Sequence, residues 1–135
     1  MQTTRKILVV MLAILASFLA LSAIPGGVML LAGLYSPPVE QLEGSIFRDF
    51  TIPGLSLLFL VGGTSAVAAV ALFRKRRHAV LAAAAAGLAV IVFEFVEVLA
   101  IGSPPGPARV MQIVYFCVGV CLIGVSLGVL LIDSV

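Results

Sequence analysis

The chain has 135 residues, of which 62% are hydrophobic and only 10% charged, and its mean hydropathy is +1.29. That composition excludes an ordinary soluble domain. The net charge of +2 does not point to nucleic acid: the basic residues gather at the ends of apolar blocks, the habit of a membrane protein, and no folded soluble surface remains to carry a basic footprint.

The apolar residues form four long blocks separated by short stretches that hold almost all the charge and proline. A bilayer core about 30 Å thick needs roughly 20 residues of apolar helix, so each block is long enough to span it. The first follows Arg5-Lys6 and runs from residue 7 through Pro25-Gly26-Gly27 to residue 34. Proline removes a backbone donor and clashes one turn back. Because the piece beyond it, VMLLAGLY, is still apolar, a single helix kinked at Pro25 is predicted. A cleaved signal peptide is the rival reading, but the apolar run is too long for one and no A-x-A site follows.

The second span, 52–73, opens at Thr51-Ile52-Pro53, where threonine can cap the helix start and an early proline removes no needed hydrogen bond. The third, 79–101, ends at GSPPGP, and Pro107 suits the first turn of the fourth, 108–132. The expected fold is all-α: one polytopic domain over 1–135, a four-helix transmembrane bundle running up-down-up-down. Of the eight basic residues, six lie at the N-terminus and in the RKRRH loop. Positive-inside bias then predicts a multi-pass protein of the plasma (inner) membrane with both termini cytoplasmic. The first loop, with Arg48 and Asp49, and the GSPPGP turn face outward, and short loops leave no room for a soluble catalytic domain.

Lipid gives helices little hydrophobic reward for associating, so they pack through small residues. Gly62 and Gly63 in the second span, Gly87 in the third and the stripe Cys117, Cys121, Gly124, Gly128 in the fourth are the expected seams. Close packing within the bundle is the plainer reading of them all, and a homo-oligomer through the 124–128 face is the alternative.

The run VIVFEFVEVLAIG, residues 90–102, carries two acids where charge is expensive. At about 1.5 Å per residue, Glu97 lies roughly 7 Å and Glu94 roughly 12 Å inward of Gly102. Acids at such depth usually face the bundle interior and mark a function or a partner. Spaced i and i+3, the two share a face that continues through Val90, Gly87 and Ala83. Two neighbouring carboxylates in a medium of low dielectric repel each other, which makes the pair a candidate proton-binding site. Glu94, deeper and with no basic residue near it in sequence, is the one expected to hold a proton at neutral pH. The structural alternative is a polar cap, with Arg109 pairing with Glu97 and Gln112 hydrogen-bonded to the other carboxylate, beside Tyr115.

Metal sites need about four ligands; Cys117 and Cys121 stand alone on one helix and His78 sits at the other end of another. They are read as packing residues and as part of a lipid-facing basic loop. No cofactor, phosphate-loop, nucleophile-elbow or HExxH pattern occurs in the sequence.

Residues 44–63, GSIFRDFTIPGLSLLFLVGG, resemble a segment of an uncharacterised family of small bacterial four-transmembrane-helix proteins with an F-x-D…P-G…G-G pattern, matched here by Phe47, Asp49, Pro53, Gly54, Gly62 and Gly63. The likeness extends to VEVLAIG at 96–102 and to Gln112 and Tyr115, about two thirds of the chain. It departs from the pattern in having no tryptophan, with Phe93-Glu94 and Val110-Met111 where the relatives carry one. The resemblance implies an architecture and no particular activity, and it puts Glu97 in the shared pattern and Glu94 outside it. The small multidrug resistance transporters are similar in size and span number, but their essential acid is in helix 1, which here holds none.

Taken together, these readings lead to a non-enzymatic integral membrane protein that packs with itself or with partner membrane proteins in the lipid bilayer. The alternative is a proton-coupled transporter of a small cationic or apolar solute using Glu97 and Glu94.

Overall fold

Inside a bilayer every backbone polar group must be satisfied within the protein, which leaves an apolar block of this length only the helix. The computed structural model describes residues 2–33, 49–103 and 105–134. It contains α1 (Gln2–Ala32), α2 (Thr51–Phe73), α3 (Ala79–Ile101) and α4 (Pro107–Asp133), each long and apolar enough to cross a membrane. No strand occurs among the described residues. The fold is an all-α four-helix bundle, and the chain is a small integral membrane protein.

Helix α1 packs on α2 and α4, and α3 on α2 and α4, so each helix sits beside its neighbours in sequence and the fourth closes the ring onto the first. Turns at 74–78 and 102–106 lie at opposite ends of α3, giving the up-down order. Both termini and the RKRRH turn share one end, the basic end, where Arg5 clasps Asp133 through Nε to Oδ1 at 2.7 Å and Nη2 to Oδ2 at 3.1 Å. The opposite end carries the 102–106 turn and the start of α2.

The helix boundaries follow local chemistry. α1 runs unbroken through Pro25 and is followed by Gly33, whose φ of +73° suits only glycine well. Leu34, the expected last residue of the span, lies outside the described residues, as does Arg48. Thr51 is the first residue of α2 and not its cap: Phe50 holds the cap position without a side-chain bond, and the Asp49 carboxylate accepts the Thr51 N–H at 3.0 Å. From Ser56 to Gly63, α2 widens into π-helical turns, a geometry frequent at functional sites. The Thr64 hydroxyl donates back to the carbonyls of Leu60 and Val61 at its end. Pro107 starts α4, where its missing donor is not needed.

The core is built from small and branched residues: Leu12, Ala16 and Leu19 of α1, Val61 and Ala68 of α2, Ala83 and Val90 of α3, Leu122 and Val129 of α4. Outside it lies a belt of exposed Ile14, Leu21, Phe59, Leu131 and Leu99, the last 84% accessible, as lipid-facing helices require.

Four glycines set the closest crossings. A Cβ on Gly87 would lie 2.9 Å from the Gly119 carbonyl oxygen, and one on Gly119 3.0 Å from that of Gly87. A Cβ on Gly27 would meet the Leu58 backbone at 2.8 Å, and one on Gly62 would meet Ile24 at 2.7 Å. Of the expected seams, Gly62 and Gly87 are therefore at crossings, whereas Gly63 and Gly124 have nothing within 4 Å and Gly128 has only an ordinary contact with Leu8 at 3.7 Å. The correction has a simple origin. The buried stripe of α4 runs through Gln112, Tyr115, Gly119, Leu122, Ser126 and Val129, and residues two positions off it point roughly 200° away on a helix of 3.6 residues per turn. That turns Cys117, Cys121 and Gly124 to the outside.

Candidate functional site

The face predicted for α3 is the one the bundle buries: Ala83 and Val90 are fully covered, and Glu94 is 4% exposed, whereas Glu97, one turn nearer the 102–106 end, is only partly covered. From there to the end of α3 the helices leave a cavity of about 320 Å³. All four contribute walls: Ser22, Gly26 and Leu30 from α1; Pro53, Ser56, Leu57 and Leu60 from α2; Phe93, Glu94, Val96 and Glu97 from α3; Pro107, Met111 and Tyr115 from α4. The lining is apolar except for the two acids, two serines and the tyrosine. Part of the widened stretch of α2 supplies its wall, through Ser56, Leu57 and Leu60.

Glu94 and Glu97, one turn apart on one face of α3, both line the cavity, and Gln112 of α4 is buried at the same end of the bundle. Among the described residues no basic side chain pairs with the two acids. Arg109 donates through Nε and Nη2 to the carbonyl of Ser103, at 3.1 and 2.6 Å, and Gln112 donates through Nε2 to the carbonyl of Gly102 at 3.0 Å. The expected Arg109–Glu97 pair is therefore replaced. Carbonyls at and just past a helix C-terminus have no intrahelical partner, and the tight turn brings those of residues 102 and 103 within reach of the first turns of α4. Among the described residues the one ion pair is Arg5–Asp133, at the other end of the bundle.

The consequence is a shortage of donors. Glu94 Oε2 and Gln112 Oε1 are buried with no hydrogen-bond partner. Tyr115, buried at 4%, has its hydroxyl 2.7 Å from Ser22 Oγ. Ser22 Oγ also lies 2.8 Å from the Phe18 carbonyl of its own helix; with its proton on that carbonyl, the Tyr115 O–H fills the contact between the two hydroxyls. The Tyr115 ring also packs edge-on against Phe18, with centroids 6.4 Å apart and planes at 86°. Tyr115 thus closes the seam between α1 and α4.

Of the residues expected to form one polar cap, the fold brings Glu94, Glu97 and Gln112 together and places Tyr115 on the same cavity. Asp49 serves the start of α2, and Arg109 serves the turn. Sequence reading missed Ser22 and Gly119. A mid-helix serine commonly bonds its own helix and gives no signal of a second partner, and Gly119 stands out from the other glycines of α4 only by lying on the buried stripe.

Among the described residues no group of three or more His, Cys, Asp or Glu side chains could hold a metal ion, and both cysteines are free and exposed. No protein-family model, curated protein or solved structure matches the chain.

Proposed function

We propose that this protein is a non-enzymatic, proton-coupled transporter of a small cationic or apolar solute, with Glu94 and Glu97 as its protonatable groups. One observation carries the reading: two adjacent carboxyl groups, one of them 4% exposed, stand in the wall of an apolar cavity with no basic partner among the described residues. A buried charge without a partner is strongly disfavoured, so the site calls for protons or for a bound cation. A cavity of about 320 Å³ also matches the smaller sites that hold organic ligands. In this reading both termini are cytoplasmic in the plasma (inner) membrane, as the basic residues favour, and the cavity opens toward the outer side. Its architecture is that of the small bacterial four-span proteins that the 44–63 segment resembles.

The test is reconstitution in liposomes under a pH gradient, with primary and quaternary alkylammonium ions as probes. Cation-driven proton movement that disappears in Glu97→Gln is expected. Wild-type vesicles that move neither protons nor any probe overturn the reading.

A second reading, a membrane protein that packs with itself, is favoured by a different feature: Cys121 and Gly124 lie outside the bundle, on a face that no helix of the chain covers. Cross-linking through Cys121 in native membranes, lost in Gly124→Leu, is its expected signature. Cross-linking unaffected by that substitution counts against it.

A further inference from the structure

Resting on the transport reading, we infer that the cavity selects cations that carry N–H donors, small alkyl- or arylammonium ions with an apolar body, over quaternary ammonium ions of the same size.

Three helices present groups to the acids of α3. α1 offers Ser22, whose one proton goes to Phe18. α2 contributes Ser56 and no titratable side chain to the cavity. α4 offers Tyr115, whose hydroxyl is paired with that of Ser22, Gln112, with one N–H on Gly102, and Arg109, held on Ser103. Asp49, at the start of α2, is an acceptor already used by Thr51. Among the described residues the site is therefore rich in acceptors and poor in donors, and Glu94 Oε2 is buried without a partner.

An ammonium head with two or three N–H groups supplies both the positive charge and the missing donors. A quaternary head supplies only the charge. The rings of Phe50, Phe93 and Tyr115 on the cavity wall would serve either kind of cation, but they cannot satisfy a carboxyl oxygen. A site built to receive hydrogen bonds discriminates against an analogue that lacks them, because its own polar atoms are then left unpaired.

The rest of the cavity defines the rest of the ligand. Its volume of about 320 Å³ corresponds to roughly ten water molecules at about 30 Å³ each, hence to a solute of about ten heavy atoms. Leu60 of α2 and Val92 and Val96 of α3 line the cavity and keep 41–47% of their surface accessible, which leaves the wall between α2 and α3 open. An apolar body can therefore enter sideways between α2 and α3 while the head reaches the acids. Charge balance sets the exchange: when one ammonium arrives, the charge of the site is unchanged only if one carboxyl O–H gives its proton to water.

The experiment uses the full chain in lightly buffered detergent with a pH indicator, titrated with n-hexylammonium or with N,N,N-trimethylhexylammonium. Nonspecific partitioning is subtracted with the Glu94→Gln/Glu97→Gln double variant. Proton release with n-hexylammonium at a concentration at least about tenfold below that needed for the trimethyl analogue is expected, in line with the loss of a hydrogen bond to a charged group. Proton release by both probes at equal concentration overturns this inference and leaves the transport reading standing. No proton release by either probe overturns both.

Discussion

The hydroxyl of Tyr115 on α4 lies 2.7 Å from the hydroxyl of Ser22 on α1, and this single bond ties the first helix to the last beside the acid pair. Tyr115→Phe removes it while Ser22 keeps its own bond to Phe18. Hydrogen bonds between membrane helices average about 0.6 kcal/mol, so a small drop in thermal midpoint in detergent is expected. Ser22→Ala should be the more damaging change, because it leaves a buried phenol without an acceptor. Equal effects of the two would contradict the assignment of the tyrosine as donor.

The α3–α4 crossing rests on Gly87 and Gly119, each of whose added Cβ would press on the other's carbonyl. Gly87→Ala is expected to destabilise the bundle by about 1–3 kcal/mol through overpacking. Gly124→Ala, with nothing within 4 Å, should be neutral or slightly stabilising, since alanine is the better helix former. Reversible unfolding in mixed micelles compares them, and a reversed ranking would refute this packing.

Arg109 donates to Ser103 and not to Glu97. Arg109→Ala and Glu97→Ala should therefore be additive in thermal stability, the double variant deviating from the sum by less than about 0.5 kcal/mol. A larger coupling would restore an ion pair between them.

The shortage of donors around Glu94 makes Glu94→Gln an unusual substitution. The amide has the shape of the acid and brings N–H groups to the neighbouring Glu97 carboxyl. An unchanged or raised thermal midpoint is expected, together with loss of the proton release expected of the wild type. Carbodiimide labelling read by mass spectrometry gives a second measure: only a protonated carboxyl reacts, so labelling of the wild-type pair should fall as pH rises. Labelling that is the same at every pH would remove the case for a titrating site.

The sequence alone determined the four spans, because an apolar run of that length can satisfy its backbone in lipid only as a helix, and Pro53, GSPPGP and RKRRH punctuate the runs unmistakably. It also determined which side of α3 turns inward, since Glu94, Val90, Gly87 and Ala83 share one stripe at helical spacing. Only the tertiary structure decided what each stripe meets. Glycines recur on every helix, and their spacing is alike whether the face is buried, as at Gly119, or turned to lipid, as at Gly124. Arg109 follows both Glu97 and Ser103 closely in the chain, and the carbonyls left open past the end of α3 won the competition. The cavity, too, is walled by all four helices, and its volume is a property of how they pack together, which no single segment encodes.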